Sequence, residues 1–443
     1  MKPHKALFII VASTCFLLST LFPVLPGQEV SPPRNQAKKK VLENGLTLIY
    51  QKDASSAITV IQILIRGGMK ADPEDKQGLA YLTTRLALEI PDDITAQNMM
   101  SQASQVYLLC LGDYSFINIT SLSENIDETL KTVSQIILDP LFSAIRIDHI
   151  KKQMDYRKKM QEDDAINVGR NAALERFFEG TGYGGSVLGN EKSLKAIKRK
   201  DIKSFYETHF EAGNMVVAAI SDMEEEALSG LLERYFSQFP SGKTAEPEPF
   251  AISPSTYYEI FIEKDTKQYF VSMAFPLPEI TTKNYTLAYM TENLLGKGLN
   301  SKLWSLRTQE KLAYNVNSNL TQMKFGGMLE AYLETDKEKK EAAVEALRKV
   351  ITDLHENGIT EEEFEVTKTF SKASFLRENE TKTTRARNLS SFEALGLGFS
   401  FLDRFSAEIE AISLEEINAF IKDIFDPVKG LKIIVGPKEE IQK

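Results

Sequence analysis

The chain has 443 residues, 42% hydrophobic and 26% charged, with a formal net charge of -9; that length exceeds one ordinary domain and that composition supports large cores. The negative balance, with acidic clusters such as Asp222-Met223-Glu224-Glu225-Glu226, argues against nucleic acid or an anionic membrane surface as a partner.

At the N-terminus Lys2, His4 and Lys5 precede an apolar run from Ala6 to Phe22, followed by Pro23 and a polar segment over 28–40. This is the pattern of a secretory signal, with 1–27 as the segment removed after Gly27 and an uncleaved N-terminal anchor as the alternative. Either way the body of the protein is expected to be exported, in a periplasmic compartment, touching a membrane only through that anchor. Cys15 lies in the run, but Thr14 before it is a poor match to a lipoprotein signal. After cleavage Cys110 is the one remaining cysteine, inside the apolar phrase Val106 to Leu111. No internal disulfide is then available, and a buried, inert thiol is expected.

The run from Val41 to Lys52, turning at Asn44-Gly45, and the apolar run Ile58 to Arg66 predict two strands of a meander, the second covered on both faces. Residues 78–90 carry helical spacing, and 93–105 predict a second helix. A strand pair over 106–111 and 115–121 turns at Gly112-Asp113. Helical spacing returns over 124–138, 148–163 and 167–178, with Asp139-Pro140 as a break. A glycine-rich loop at 180–189, a helix at 200–209, a strand at 215–220 and a helix at 224–239 complete the first half. Residues 241–256, with Pro247, Pro249 and Pro254 and no periodicity, predict a linker.

Beyond the linker the pattern recurs. Asp201-Ile202-Lys203-Ser204-Phe205, Phe210 and Val216-Val217-Ala218-Ala219-Ile220 correspond in order to Glu416-Ile417-Asn418-Ala419-Phe420, Phe425 and Leu431-Lys432-Ile433-Ile434-Val435. Leu79-Ala80-Tyr81-Leu82-Thr83 likewise corresponds to Leu287-Ala288-Tyr289-Met290-Thr291. Matches at nearly one offset indicate an internal duplication. A repeat this long means two similar α+β domains, each with an antiparallel or mixed sheet, rather than a solenoid.

The stretch Gly78-Leu79-Ala80-Tyr81-Leu82-Thr83-Thr84-Arg85-Leu86-Ala87-Leu88-Glu89, entered from a strand and the charged loop Lys70 to Gln77, resembles the inverted zinc peptidases of the insulinase and pitrilysin family, M16. There the phrase G-L-A-H-F-L-E-H carries an H-x-x-E-H helix, its two His binding zinc and its Glu acting as general base for the metal-bound water. In this chain those three positions hold Tyr81, Thr84 and Arg85. A phenol is a poor zinc ligand, a Thr hydroxyl cannot take a proton from water near neutral pH, and a permanent cation repels the metal. Taken alone, the stretch also reads as an ordinary amphipathic core helix.

The resemblance runs from Val41-Leu42-Glu43-Asn44-Gly45-Leu46 to Leu431-Lys432-Ile433-Ile434-Val435-Gly436. It implies an α+β fold of two homologous α/β-sandwich domains of the LuxS and mitochondrial-processing-peptidase type, over 38–240 and 257–443. The family's third zinc ligand is a Glu on a later helix; the phrase Lys159-Met160-Gln161-Glu162-Asp163-Asp164-Ala165 puts Arg157 at that place, with Asp155 and Glu162 the nearest acids. His149, His209 and His355 are the remaining histidines, no two at metal-ligand spacing. No catalytic or metal residue is therefore expected in this chain.

A second family phrase, S-R-L-x-x-x-x-R-x-x-x-x-L-A-Y, is matched by Ser301-Lys302-Leu303-Trp304-Ser305-Leu306-Arg307-Thr308-Gln309-Glu310-Lys311-Leu312-Ala313-Tyr314, with Lys302 where Arg is common. The resemblance gives Arg307 and Tyr314 the role of holding peptide near the scissile bond, and a five-donor guanidinium beside a phenol suits carbonyl oxygens. The alternative is a salt-bridged surface Arg307 and a core Tyr314. The loop Thr181 to Gly189 resembles the family's H-P-Y-G-x-P-x-x-G segment; it reads as a connection or a substrate-touching loop, and not as a nucleotide site.

The leading expectation is an exported, non-catalytic M16-like subunit that forms a heterodimer with a zinc-bearing M16 chain, closing a chamber around a peptide or unfolded polypeptide, with the zinc in the partner. A peptide-binding or assembly scaffold of the cell envelope without protease activity is the second reading. An active zinc endopeptidase with an atypical site is the third.

Overall fold

The structure, a computed structural model, describes residues 35–244 and 258–438; the signal segment and most of the linker lie outside them. The first half opens with the strands β1 (Lys38–Val41), β2 (Thr47–Lys52) and β3 (Ile58–Arg66). Helices α1 (Leu79–Leu86) and α2 (Asp93–Ser101) lead to β4 (Gln105–Cys110) and β5 (Tyr114–Leu122). Then come α3 (Ile126–Leu138), α4 (Ala144–Glu162), α5 (Ala165–Phe177), α6 (Glu191–Ala196), α7 (Arg199–His209), β6 (Met215–Ser221) and α8 (Glu225–Phe236). The short α6 was not expected from the sequence; an Asn190–Ser193 capping box starts it.

The expected meander of the 41–52 and 58–66 segments does not form. The sheet order is β1-β2-β6-β3-β5-β4, so β6 lies between β2 and β3, parallel to the first with Thr47 opposite Val216 and antiparallel to the second with Ile63 opposite Val217. Burial is the reason: all residues of β6 are buried, and such a strand needs the middle of a sheet covered on both faces.

The second half repeats this plan. Its elements are β7 (Tyr258–Glu263), β8 (Tyr269–Leu277), α9 (Thr282–Gly296), α10 (Trp304–Thr308), β9 (Asn315–Met323) and β10 (Gly326–Thr335), followed by α11 (Lys340–Asn357), α12 (Glu361–Glu378), α13 (Lys382–Leu395), α14 (Phe401–Ala411), α15 (Leu414–Ile424) and β11 (Leu431–Gly436). Its sheet order, β7-β11-β8-β10-β9, reproduces β2-β6-β3-β5-β4, with β11 parallel to β7 and antiparallel to β8. The matched sequence segments fall on matched elements: α7 with α15, β6 with β11, α1 with α9. Phe210 and Phe425, each at the C-cap of its helix, are both buried.

Each half lends a helix to the other. α5 packs on β8 and β11, and α13 packs on β3 and β6. α5 turns Gly169, Ala173 and Phe177 inward, one residue per turn on one face, and Gly169 lets the helix approach: a Cβ there would meet the Phe270 ring at 2.4 Å. From the same helix Arg170 Nε donates to Glu330 Oε2 at 3.0 Å, and Glu330 is fully buried. From α13, Lys382 Nζ donates to the carbonyls of Ser56 and Ile58 at 2.7 and 2.8 Å, and Arg385 bridges Gln51 and Asp403 at 3.0 and 2.8 Å. One apolar cluster accordingly mixes Val60, Phe116 and Ile220 with Leu389 and Phe392, so neither sheet is fully covered without the other half. Among the described residues no helix is long and apolar enough to cross a membrane.

Candidate functional site

α1 starts at Gly78, whose φ of +92° suits a residue without a Cβ. The Asp72 carboxylate accepts hydrogen bonds from the Gly78 and Ala80 N–H groups, both at 2.7 Å. A carboxylate at that end satisfies free amide donors and complements the helix dipole. The glycine-rich loop braces this entry. A Cβ on Gly182 would lie 2.5 Å from the Lys70 carbonyl, one on Gly189 would lie 2.3 Å from the Gln77 carbonyl, and Ser193 Oγ donates to that same carbonyl at 2.9 Å. Tyr183 is buried at the centre of the loop and donates to Asp113, whose other carboxylate oxygen accepts from the Lys324 N–H at 2.9 Å. The loop is thus a packed connection that ties the two halves together.

The positions singled out on α1 have distinct fates. Tyr81 is buried, and its hydroxyl accepts a hydrogen bond from Arg157 Nη1 of α4. The structure therefore brings together two of the positions that the resemblance matched to zinc ligands, filled here by a phenol and a guanidinium. Arg85 pairs with Glu89 at 2.5 Å, and Arg146 takes the other Glu89 oxygen at 2.8 Å while donating to the Ile90 and Pro91 carbonyls. Thr84, at the general-base position, is buried with its hydroxyl unpartnered. Asp155 and Glu162 are occupied by Lys159 and Lys158 of the same helix.

Beside these residues lies a cavity of about 440 Å³ lined by Tyr81, Arg85, Glu89 and Arg157 at one end, with apolar walls from Leu88, Met99, Val106, Leu108, Val133 and Ile136. Nothing in the sequence pointed to it, because its walls come from α1, α2, α3 and β4 and each contributes residues that read as ordinary core. A zinc ion does not fit here: two guanidinium groups reach the cavity, and the phenol already accepts from one of them. Elsewhere, among the described residues, no three His, Cys, Asp or Glu side chains are grouped to hold a metal ion. His149 bonds Gln153, His355 bonds the Lys422 carbonyl, and His209 faces the Arg66 carbonyl with burial holding its pKa below the usual value. Cys110 is buried, and burial pushes its thiol up to about 12.

Arg307 and Tyr314 both lie at the surface of the second half. Arg307 is exposed on α10, its guanidinium 5.1 Å from the Trp304 ring centre, and among the described residues it takes part in no ion pair. Tyr314 is 60% exposed just before β9; the Asp336 carboxylate that its hydroxyl bonds holds the phenol above its usual pKa. A salt-bridged arginine and a core tyrosine, the alternative reading, do not describe them. Lys302 pairs with Glu363.

Comparison with known proteins places this geometry. Residues 196–370 match the family model described as peptidase M16 inactive domain. A Helicobacter pylori protein described as a non-peptidase homolog is 26% identical over 417 residues, covering 92% of this chain and 95% of its own length. A solved peptidase M16 inactive domain from Pseudomonas fluorescens shares the fold with a TM-score of 0.83 at 20% identity, over 91% of this chain and 98% of that one. A Helicobacter pylori structure described as a protease does so with a TM-score of 0.81 at 15% identity, over 91% and 100% of the two chains. With the repeated sheet and the helix after the acidic loop already described, these matches show that the chain has the fold of M16 peptidase domains, that residues 196–370 fit the M16 inactive-domain model, and that the chain is similar over nine-tenths of its length to a protein described as a non-peptidase homolog.

Proposed function

We propose that this chain is the non-catalytic subunit of a two-chain peptidase, exported from the cytoplasm and paired with an M16 chain that carries H-x-x-E-H and holds the zinc. The observation that carries this reading is the replacement of the metal set by Tyr81, Thr84, Arg85 and Arg157 in a frame otherwise kept, down to the Asp72 cap of α1. In this role Arg307 and Tyr314 hold carbonyl oxygens of the bound polypeptide and stabilise negative charge developing near the scissile bond. Their exposure, and the freedom of Arg307 from any ion pair among the described residues, support it. β4, one of the two edge strands of the first sheet, offers backbone groups to an extended chain, a mode of recognition that accepts many sequences.

The test is to purify the chain alone and together with an M16 chain bearing H-x-x-E-H, then follow cleavage of an unstructured peptide. The expected result is cleavage in the mixture alone, abolished by a chelator and reduced on the order of 100-fold by Arg307→Ala, the scale on which loss of one charge-stabilising donor acts. Chelator-sensitive cleavage by the isolated chain overturns the proposal. Peptide binding with no cleavage in any mixture replaces it with the scaffold reading.

A further inference from the structure

The cavity beside α1 is lined by Tyr81, Arg85 and Arg157, the positions that the resemblance matched to zinc ligands, yet these residues form a different kind of site. Its polar end presents Arg157, which takes part in no ion pair among the described residues and is held in place by its bond to the Tyr81 oxygen. Since that oxygen accepts from the guanidinium, the Tyr81 hydroxyl proton is left to donate elsewhere. Glu89, the one carboxylate in the lining, is neutralised twice over, by Arg85 at 2.5 Å and Arg146 at 2.8 Å. The polar end therefore carries net positive charge in a protein of net charge -9. The walls are mostly apolar, with Tyr107 the one further hydroxyl in the lining, and the 440 Å³ volume falls within the range of roughly 300–1,000 Å³ that ligand sites occupy.

We infer that this cavity binds the C-terminal residue of an extended polypeptide, its α-carboxylate on Arg157 and the Tyr81 hydroxyl and an apolar side chain against Leu88, Met99, Val133 and Ile136. The charge calls for an anion, and a guanidinium with a neighbouring hydroxyl matches the two oxygens of a carboxylate. The apolar walls select which carboxylate. An Asp or Glu side chain would carry its charge at the tip, either into the apolar wall at a desolvation cost or away from it with the wall left uncovered. A terminal Leu, Val or Phe presents carboxylate and apolar side chain from one Cα and satisfies both ends together. Val106 and Leu108 of the cavity wall belong to β4, so the residues preceding that terminus run beside an edge strand able to pair with them. This inference rests on the reading that the chain binds extended polypeptide, and it specifies which end of the polypeptide is held here.

The experiment measures binding to the purified full chain by fluorescence anisotropy. The probes are three nine-residue peptides that differ only at the end: a C-terminal Leu carboxylate, a Leu carboxamide, and an Asp with its α-carboxylate amidated. The Leu carboxylate is expected to bind at least about 10-fold more tightly than either of the others. Arg157→Ala is expected to abolish that preference, and Arg157→Lys to keep part of it, as a point charge without the planar fork. Circular dichroism of each variant checks that the exposed Arg157 can be changed without unfolding the chain. Equal binding of acid and amide, a preference that survives Arg157→Ala, or binding of none of the three overturns the inference. Cleavage in the two-chain mixture is a separate readout, so loss of the carboxylate preference with cleavage intact removes this site alone, and the converse removes the partner role alone.

Discussion

Helices α1 and α9 occupy corresponding places in the two halves, and the space around them is used differently. α9 has 15 residues against 8 in α1, and its later turns lie along β9, where a Cβ on Gly296 would meet the Ser318 N at 2.2 Å. Carrying the match of Leu79 with Leu287 forward sets Leu88 against Gly296; Leu88 lines the open cavity. The paired tyrosines differ in the same sense. Tyr289 sits edge-on to Phe375 and Phe405, ring centres 5.8 and 5.3 Å away, and donates to Glu378 at 3.0 Å, whereas Tyr81 accepts from an arginine at the mouth of a cavity. A duplicated frame thus closes over aromatic rings on one side and stays open around guanidinium groups on the other. Topology sets where such a site stands, and the side chains filling the gap between helix and sheet set what it does.

The largest expected effect tests the exchange of helices that holds the halves together. Arg170→Met leaves Glu330 buried with no cation, and unfolding in urea should show a loss of about 3–5 kcal/mol at neutral pH. The same pair gives a pH signature. Burial holds the Glu330 carboxyl above its usual pKa, with Arg170 opposing the shift, so the folded chain binds this proton more tightly than the unfolded one. The stability it contributes is complete below the unfolded carboxyl's value of about 4.3 and is lost as pH rises through the folded value. Glu330→Gln should remove that part of the slope in a series of denaturation curves.

Next in size is the contrast between helix and sheet. Gly296→Ala must lift α9 off β9 and should cost about 1–3 kcal/mol, while Leu88→Ala, on the cavity side, should cost less than about 1 kcal/mol. Equal losses would mean that the two helices are packed alike and would end the comparison. The smallest effect separates the tyrosines: Tyr289→Phe removes a bond to a carboxylate and should cost about 1–2 kcal/mol, and Tyr81→Phe, whose arginine partner is exposed to water, should stay within about 0.5 kcal/mol. Thermal unfolding of the two variants side by side measures the difference.

Much of this was legible in the residues. The apolar spacing of Leu79, Leu82 and Leu86, the run Ile58 to Arg66, and the paired phrases ending in Phe210 and Phe425 located the helix, a central strand and the duplication. The place of β6 between β2 and β3 was not legible, since strand order depends on which strand is hidden on both faces, and periodicity within one strand does not report its neighbours. The start of α6 also escaped, because its Asn190–Ser193 cap follows a glycine-rich loop and too few apolar residues follow to show a period.

The amino-acid order alone put Tyr81, Thr84 and Arg85 on one helix, side chains that lack the donor and base chemistry of a zinc peptidase whatever their surroundings, and it determined that two related α+β halves would form. Only the tertiary structure decided that each half completes the other's sheet, through Gly169 and Arg170 on one side and Lys382 and Arg385 on the other. It alone set Arg157 on Tyr81 at the end of a cavity whose walls come from four separate elements. The physical reason is distance along the chain: donor chemistry belongs to single residues and short spacings, whereas a cavity and its field arise from groups as far apart as 81 and 157 that meet only when packing brings them together.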